Sequence, residues 1–281
     1  MTGAIRVTAL GTTPVKGLRI AGRERISLER SGARGDRCFY LIDDRARMIN
    51  GKRSGALNEV VARLDPEPSA EGSAGVAGER AAGETLTLTF PDGRSVSEEI
   101  ELGETVETTF FSRPRAARLV RGELSRALSE HAGEALRLVR AADGSPAIDR
   151  GADGAVSLIS RASLARLADV AGVERVDARR FRMTVEIDGV AAFAEDEWLG
   201  EELTVGAARV RVRGHVGRCI VTSRHPESGV VDLPTLDLLR AFRADAATSE
   251  PLAFGVYGEA LQAGTIAVGD ELRVTPSRRS R

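Results

Sequence analysis

Cys219 stands in RGHVGRCIVTS, residues 213–223, with Arg218 beside it and His215 four positions upstream. A cysteine acts as a nucleophile or a soft-metal ligand through its thiolate, and neighbouring cations favour that form. Further cations recur along the chain: Lys16 in TTPVKGL on a loop after a strand, and Arg37 in RGDRCFYLID at the entry to another. RFRMT, read as strand, sets Arg180 and Arg182 on one face with Phe181 opposite. With Arg218 these side chains suit an anionic, phosphate-bearing ligand, because the arginine fork matches phosphate and lysine adds a point charge. Lys16 and Lys52 are the only lysines in a chain whose other basic residues are all arginine, which draws attention to both. The second cysteine, Cys38, lies inside an alternating strand and reads as a structural thiol.

Other chemistries lack their residues. His131, His215 and His225 have no zinc-like spacing among themselves or with the cysteines. No G-x-S-x-G elbow is present, and no glycine-rich loop follows a strand and opens a helix. The acids of AEDEWLG, Glu195 to Glu197, read as a solvated turn ahead of a packed Trp198. Forty basic and 41 acidic residues nearly cancel, so no global field directs the protein to nucleic acid or anionic lipid. No apolar run has the length of a membrane span and no signal segment opens the chain, so the expected partners include neither membrane nor nucleic acid and the expected location is cytoplasmic. Two cysteines offer no disulfide framework.

The elements that must position these residues are mostly strands. IRVTAL, RISLER, CFYLIDD, TLTLTF, RFRMTVEI, ELTV and ARVRVRG alternate apolar and polar residues with period two, and PDGR, DDRA and IDGV supply turns between them. Helical spacing is confined to ELSRALSEH, ending at Gly133, to SRASLARLADV with Ser160 as N-cap, and to DLPTLDLLRAFR with Asp232 as cap and Pro234 in the first turn. The Ala-, Gly- and Glu-rich stretch 65–84 reads as a surface excursion. The expected fold is mainly β with a few helices. Many short strands with turns between them point to barrels or sandwiches, and a break near 112–122 divides the chain into residues 1–118 and 119–281.

The ordered blocks PVKG, GDRCFYLID, SLISRASLARL, RFRMTVEIDG, FAEDEWLG, GRCIVTS and FGVYGEALQAGTIAVGDEL resemble the MOSC-domain proteins that carry an N-terminal β-barrel partner, over about Ile5 to Val274. Amidoxime-reducing components are the best-known members of that family. The resemblance implies two β-barrel-like parts and the molybdenum cofactor (Mo-molybdopterin), a pterin whose dithiolene sulfurs hold the metal and whose phosphate ends the molecule. By position, Cys219 matches the molybdenum-binding cysteine. Lys16 and Arg37 match cationic contacts to pterin and phosphate. Ser160, Ser163, Arg182, Thr184, Arg218 and Tyr257 fall at further cofactor contacts.

The implied activity is reduction of N-oxygenated compounds, the small-molecule substrate giving up its oxygen at the metal. Electrons would come from a separate donor protein, a reductase with a cytochrome or ferredoxin, since the cysteine-rich ferredoxin domain of some relatives is not found up to Arg281. His215, Tyr257 and Asp232 stand as alternatives for an acid on the substrate side. The alternative function is a non-catalytic cofactor-binding or sulfur-carrier protein using Cys219. The pyridoxal-phosphate domain of the cofactor sulfurase has no counterpart here, so autonomous desulfuration of cysteine is not expected. Two departures affect neighbouring contacts: Met183-Thr184 stands where relatives have RFRPN, and Gly17 follows Lys16 where serine is common.

Overall fold

Period-two alternation demands an apolar interior on one side of each strand, and seven strands satisfy it by closing on one another. In the computed structural model, which describes residues 4–65 and 83–276, they run in the order Val185–Asp188, Val156–Ser160, Ala253–Gln262, Ala208–Gly217, Glu202–Val205, Glu271–Thr275 and Ile5–Thr12. The last pairs antiparallel with the first, Leu10 opposite Val185, so the sheet closes as a barrel and those seven strands leave no open edge. Its interior holds Val7, Leu10, Val156, Leu158, Ile187, Leu203, Val210, Val212 and Val256, all essentially excluded from water, each contributing roughly 1.5–3 kcal/mol. One pair in the barrel is parallel, Val156–Ser160 with Val185–Asp188. Parallel neighbours need a crossover, which the helix Arg161–Ala171 supplies. Ser160 caps that helix as expected, its side chain accepting from the Ser163 N–H.

A second core lies between the five-stranded sheet built on Phe39–Ile42 and Arg137–Ala141, the three strands Val61–Asp65, Thr85–Thr89 and Ser95–Glu99, and the helix Leu124–Ala132. The helix ends at Gly133 in the left-handed conformation, as its sequence implied. Cys38 packs against this core, where burial pushes its thiol up to about 12.

A single cut at 118/119 does not separate these sheets. Position 118 falls inside the strand Arg113–Val120, whose sheet continues to Ala141, and the N-terminal strand Ile5–Thr12 belongs to the other barrel. Strand pairing is set by which apolar faces can be covered, and the chain crosses between the two cores more than once. The surface excursion expected at 65–84 lies for residues 66–82 outside the described residues. Among the described residues no helix is long and apolar enough to cross a membrane.

Two local expectations are corrected. RFRMT is not strand: the Asp177 side chain accepts the Arg179 N–H and starts a short 3-10 turn over Ala178–Phe181, and Arg182 leaves it in the left-handed conformation. A carboxylate capping the backbone locally competes with the ladder and wins here. Arg180 and Arg182 therefore diverge instead of sharing a face. The third helix, Thr235–Arg243, starts after Pro234, and Asp232 does not cap it. That carboxylate is held by a two-pronged ion pair with Arg180, 2.6 Å at both contacts.

Candidate functional site

One cleft, of about 290 Å3, gathers most of the singled-out residues from both cores. Lys16, Arg37, Arg182, Thr184, Arg218, Cys219 and Tyr257 all line it, as does the second lysine, Lys52. The wall carries seven cationic side chains against two acidic ones, Asp36 and Asp149. Such a surplus in a recess favours an anion.

Lys16 is placed by backbone pairing, its N–H donating to the Phe39 carbonyl, and by Gly17, whose φ of +97° suits glycine. A serine there would be strained, so this departure follows from the turn. The Lys16 ammonium lies 2.6 Å from Asp149 and over the Phe111 ring. Burial lowers its pKa, with Asp149 opposing that and Arg37 and Arg182 adding to it.

Arg37 and Arg182 both have positive φ, 51° and 55°, a conformation uncommon without glycine and costing about 1 kcal/mol or more each. They are fastened together: Arg37 Nη2 donates to the Arg182 carbonyl at 3.0 Å, and its Nη1 pairs with Asp36. Asp36 in turn accepts the Thr13 N–H at 2.8 Å. Burial, with Arg37 beside it, pushes the Arg182 guanidinium down to about 9. Its Nη2 is shut from water with no hydrogen-bond partner. A buried unpaired donor costs about 1–3 kcal/mol, which an anion in the cleft would recover.

Cys219 stands two residues past the long strand Ala208–Gly217 and opens the short turn Ile220–Ser223. Its carbonyl accepts from both the N–H and the hydroxyl of Thr222, and the residue, partly exposed, lines the cleft. Arg218 is positioned differently from the anion contact that its place among the cations suggested. Its Nε donates to the Phe254 carbonyl at 2.8 Å, Nη1 to the Phe181 carbonyl at 2.9 Å, and Nη2 to Phe254 and to Met183 sulfur. Burial pushes it down to about 9, the adjacent Cys219 acting in the opposite direction. With its fork turned into the wall, Arg218 holds the turn that presents the thiol. Tyr257 lies across Gly214, where a Cβ would stand 2.7 Å from the phenol oxygen, and Arg150 covers its ring at 4.5 Å.

Ser160 and Ser163 do not reach the cleft. Both are fully buried behind the barrel strand, where the Ser160 N–H and the Ser163 hydroxyl donate to the Glu195 carboxylate at 3.0 and 2.8 Å. Glu195 is itself fully buried, and Asp196 pairs with Arg243, so the acidic run clips the helix Arg161–Ala171 to the barrel and is no solvated turn. The serine of this segment that does line the cleft is Ser157, three residues before Ser160, which accepts the Thr184 N–H at 3.0 Å. Alternation along VSLIS offered that signal; nothing comparable marked Asp149 or Arg150 in PAIDRG. His215 is buried between Ser249 and Asp196, away from the cleft wall, and Asp232 is engaged with Arg180. Of the three alternatives for a substrate-side acid, only Tyr257 lines the cleft.

Known proteins bear on this arrangement. Residues 145–273 match the MOSC domain family and residues 4–131 the MOSC N-terminal beta barrel domain family. A mitochondrial amidoxime-reducing component 1 of Xenopus laevis is 40% identical over 108 residues, 36% of this chain and 31% of that protein. A human mitochondrial amidoxime reducing component 2 is 34% identical over 104 residues, 34% of this chain and 30% of that protein. The matched part thus spans about a third of these relatives. Among solved structures, the YUAD protein of Bacillus subtilis aligns over 98% of both chains at 11% identity with a TM-score of 0.43.

Proposed function

The chain belongs to the MOSC-domain proteins with an N-terminal β-barrel partner, and from that membership we propose that it is a molybdenum-cofactor oxidoreductase reducing N-oxygenated compounds. The observation that carries the reading is the pairing, in one cleft, of a free, partly exposed Cys219 with a buried Arg182 donor that has no partner. A phosphate-bearing, soft-metal cofactor fits both: the thiolate for the metal, the unpartnered guanidinium for the phosphate.

In this reading Cys219 ligates molybdenum, while Arg182, Arg37 and Lys16 hold the phosphate and Thr184 and Ser157 contribute hydroxyls near Arg182. When bound, the cofactor supplies a two-electron centre able to accept an oxygen atom. The chain's own residues place it. Arg218 fixes the turn carrying Cys219 through the Phe181 and Phe254 carbonyls, and Asp36 fixes Arg37. Tyr257 is the phenol available on the cleft wall to deliver a proton to the departing nitrogen group. Electrons come from a separate protein.

The test is turnover of benzamidoxime by protein expressed in a cofactor-competent host and supplied with an artificial reductant. Stoichiometric formation of benzamidine supports the proposal. Cofactor binding without turnover, together with a persulfide on Cys219, would instead establish a carrier.

A further inference from the structure

The anion-binding half of the cleft accounts for Lys16, Arg37 and Arg182. It leaves unexplained a second unpartnered polar group on the cleft wall. Asn58 lies in the short 3-10 turn Ala56–Glu59, is 4% exposed, and its Oδ1 has no hydrogen-bond partner. Its backbone is fixed on both sides: the N–H donates to the Gly55 carbonyl, and its own carbonyl accepts from Arg19 Nε at 3.0 Å. Leu57 beside it is anchored in the N-terminal core. The side-chain amide is thus held where it stands while one of its edges lacks a partner.

Gly51 forms the notch over that amide. A Cβ on Gly51 would stand 3.5 Å from Asn58 Oδ1 and 3.5 and 3.6 Å from the two methyls of Val221. Gly51 does not have a positive φ, so its backbone does not call for glycine. Those distances are ordinary contacts, so an alanine methyl would fit and would fill the gap. Val221 belongs to the turn that Cys219 opens, and Gly51, Asn58, Val221 and Cys219 all line the cleft.

An amide presents an acceptor and a donor side by side, and such a pair recognises a flat edge offering the complementary donor and acceptor. The cations lining the cleft disfavour a positively charged guest. We infer that Asn58, under the opening left by Gly51, is a ligand-recognition residue that takes a neutral, planar, N–H-donating edge in the cleft that Cys219 lines. This rests on the proposed function. Two molecules carry that chemistry, an amidoxime substrate with its amino and imine groups, and the pterin ring of the cofactor.

The experiment uses the full chain without cofactor and titrates two probes by calorimetry, benzamidoxime and pterin-6-carboxylate, against wild type, Gly51→Ala and Asn58→Leu. Gly51→Ala is the discriminating variant, because it fits without backbone strain and removes only the opening. Thermal unfolding within a few degrees of wild type certifies its fold. Loss of a buried polar contact to ligand predicts weakening of about tenfold in both variants for the probe that uses the notch. Weakening for benzamidoxime alone assigns the notch to substrate, and for the pterin alone to the cofactor. Equal affinity of wild type and Gly51→Ala for both probes, or no binding of either probe to wild type, overturns the inference. Molybdenum content of wild type expressed in a competent host is measured in parallel. Its absence would defeat the proposed function without bearing on the titrations.

Discussion

Replacing Arg218 with lysine keeps the charge and removes the fork, and so separates holding the wall from binding a ligand. The guanidinium satisfies the carbonyls of Phe181 and Phe254, residues 3% and 0% exposed, and reaches Met183 sulfur at 3.0 Å. A lysine ammonium is a single compact donor group that can follow one of those directions. At least one buried carbonyl is then unpaired, at about 1–3 kcal/mol. Loss of the guanidinium stacked 5.1 Å from the Phe181 ring centre adds about 0.5–1 kcal/mol. The expected loss is about 1.5–4 kcal/mol, which at about 2–4 °C per kcal/mol lowers Tm by about 3–16 °C. Differential scanning calorimetry of the Arg218→Lys and Arg218→Met variants measures it, with phosphate titrated against the same samples. Both variants should lose stability, and at temperatures where they are folded both should bind phosphate as wild type does. An Arg218→Lys protein with unchanged Tm but impaired phosphate binding would refute the argument, because the fork would then face the ligand.

Three further outcomes follow from the same geometry. The pKa of Asp232 is lowered, chiefly by its hydrogen bond to Arg180. Its stabilisation is therefore complete above the ordinary aspartate range near 4 and fades as pH falls below it, so urea midpoints of wild type and Asp232→Asn should converge in acid and separate at neutral pH; a constant gap would contradict the pairing. Alkylation with iodoacetamide near neutral pH should modify Cys219 in the native protein and leave Cys38, whose burial raises it to about 12, unmodified; peptide mapping that finds Cys38 labelled first would count against this. Ser163→Ala removes a hydroxyl that links Glu195 to the Phe193 N–H, so Tm should fall by several degrees with phosphate binding unchanged, whereas lost binding at full stability would return Ser163 to the site.

Much of this was legible in the chain. Period-two alternation located four strands of the closed barrel, Ile5–Thr12, Val185–Asp188, Glu202–Val205 and Ala208–Gly217, because a strand with one face in a core must alternate; Val156–Ser160, Ala253–Gln262 and Glu271–Thr275 were not read from it. The ordered motifs brought Lys16, Arg37, Arg182, Thr184, Cys219 and Tyr257 to one cleft, since the fold fixes the position of the loop or strand that carries each. What remained hidden depends on side-chain direction and on partners distant in sequence. RFRMT has the alternation of a strand, yet Asp177 turns it into a 3-10 segment and sends Arg180 to Asp232. Ser160 and Ser163 sit in a motif shared with relatives but face the far side of the barrel, where their partner Glu195 lies more than thirty residues along the chain. Arg218 adjoins the thiol in sequence, but its fork points into the wall. The role of Asn58 depends on an empty space beside Gly51, which no spacing rule records.

The central claim is that Cys219 holds the metal, and molybdenum content read together with molybdenum K-edge absorption tests it most directly. Wild type and Cys219→Ser are purified from the same cofactor-competent host and compared. The account predicts that the variant either loses most of its molybdenum or keeps it with one sulfur fewer around the metal. Full molybdenum content with an unchanged sulfur count in Cys219→Ser would contradict it.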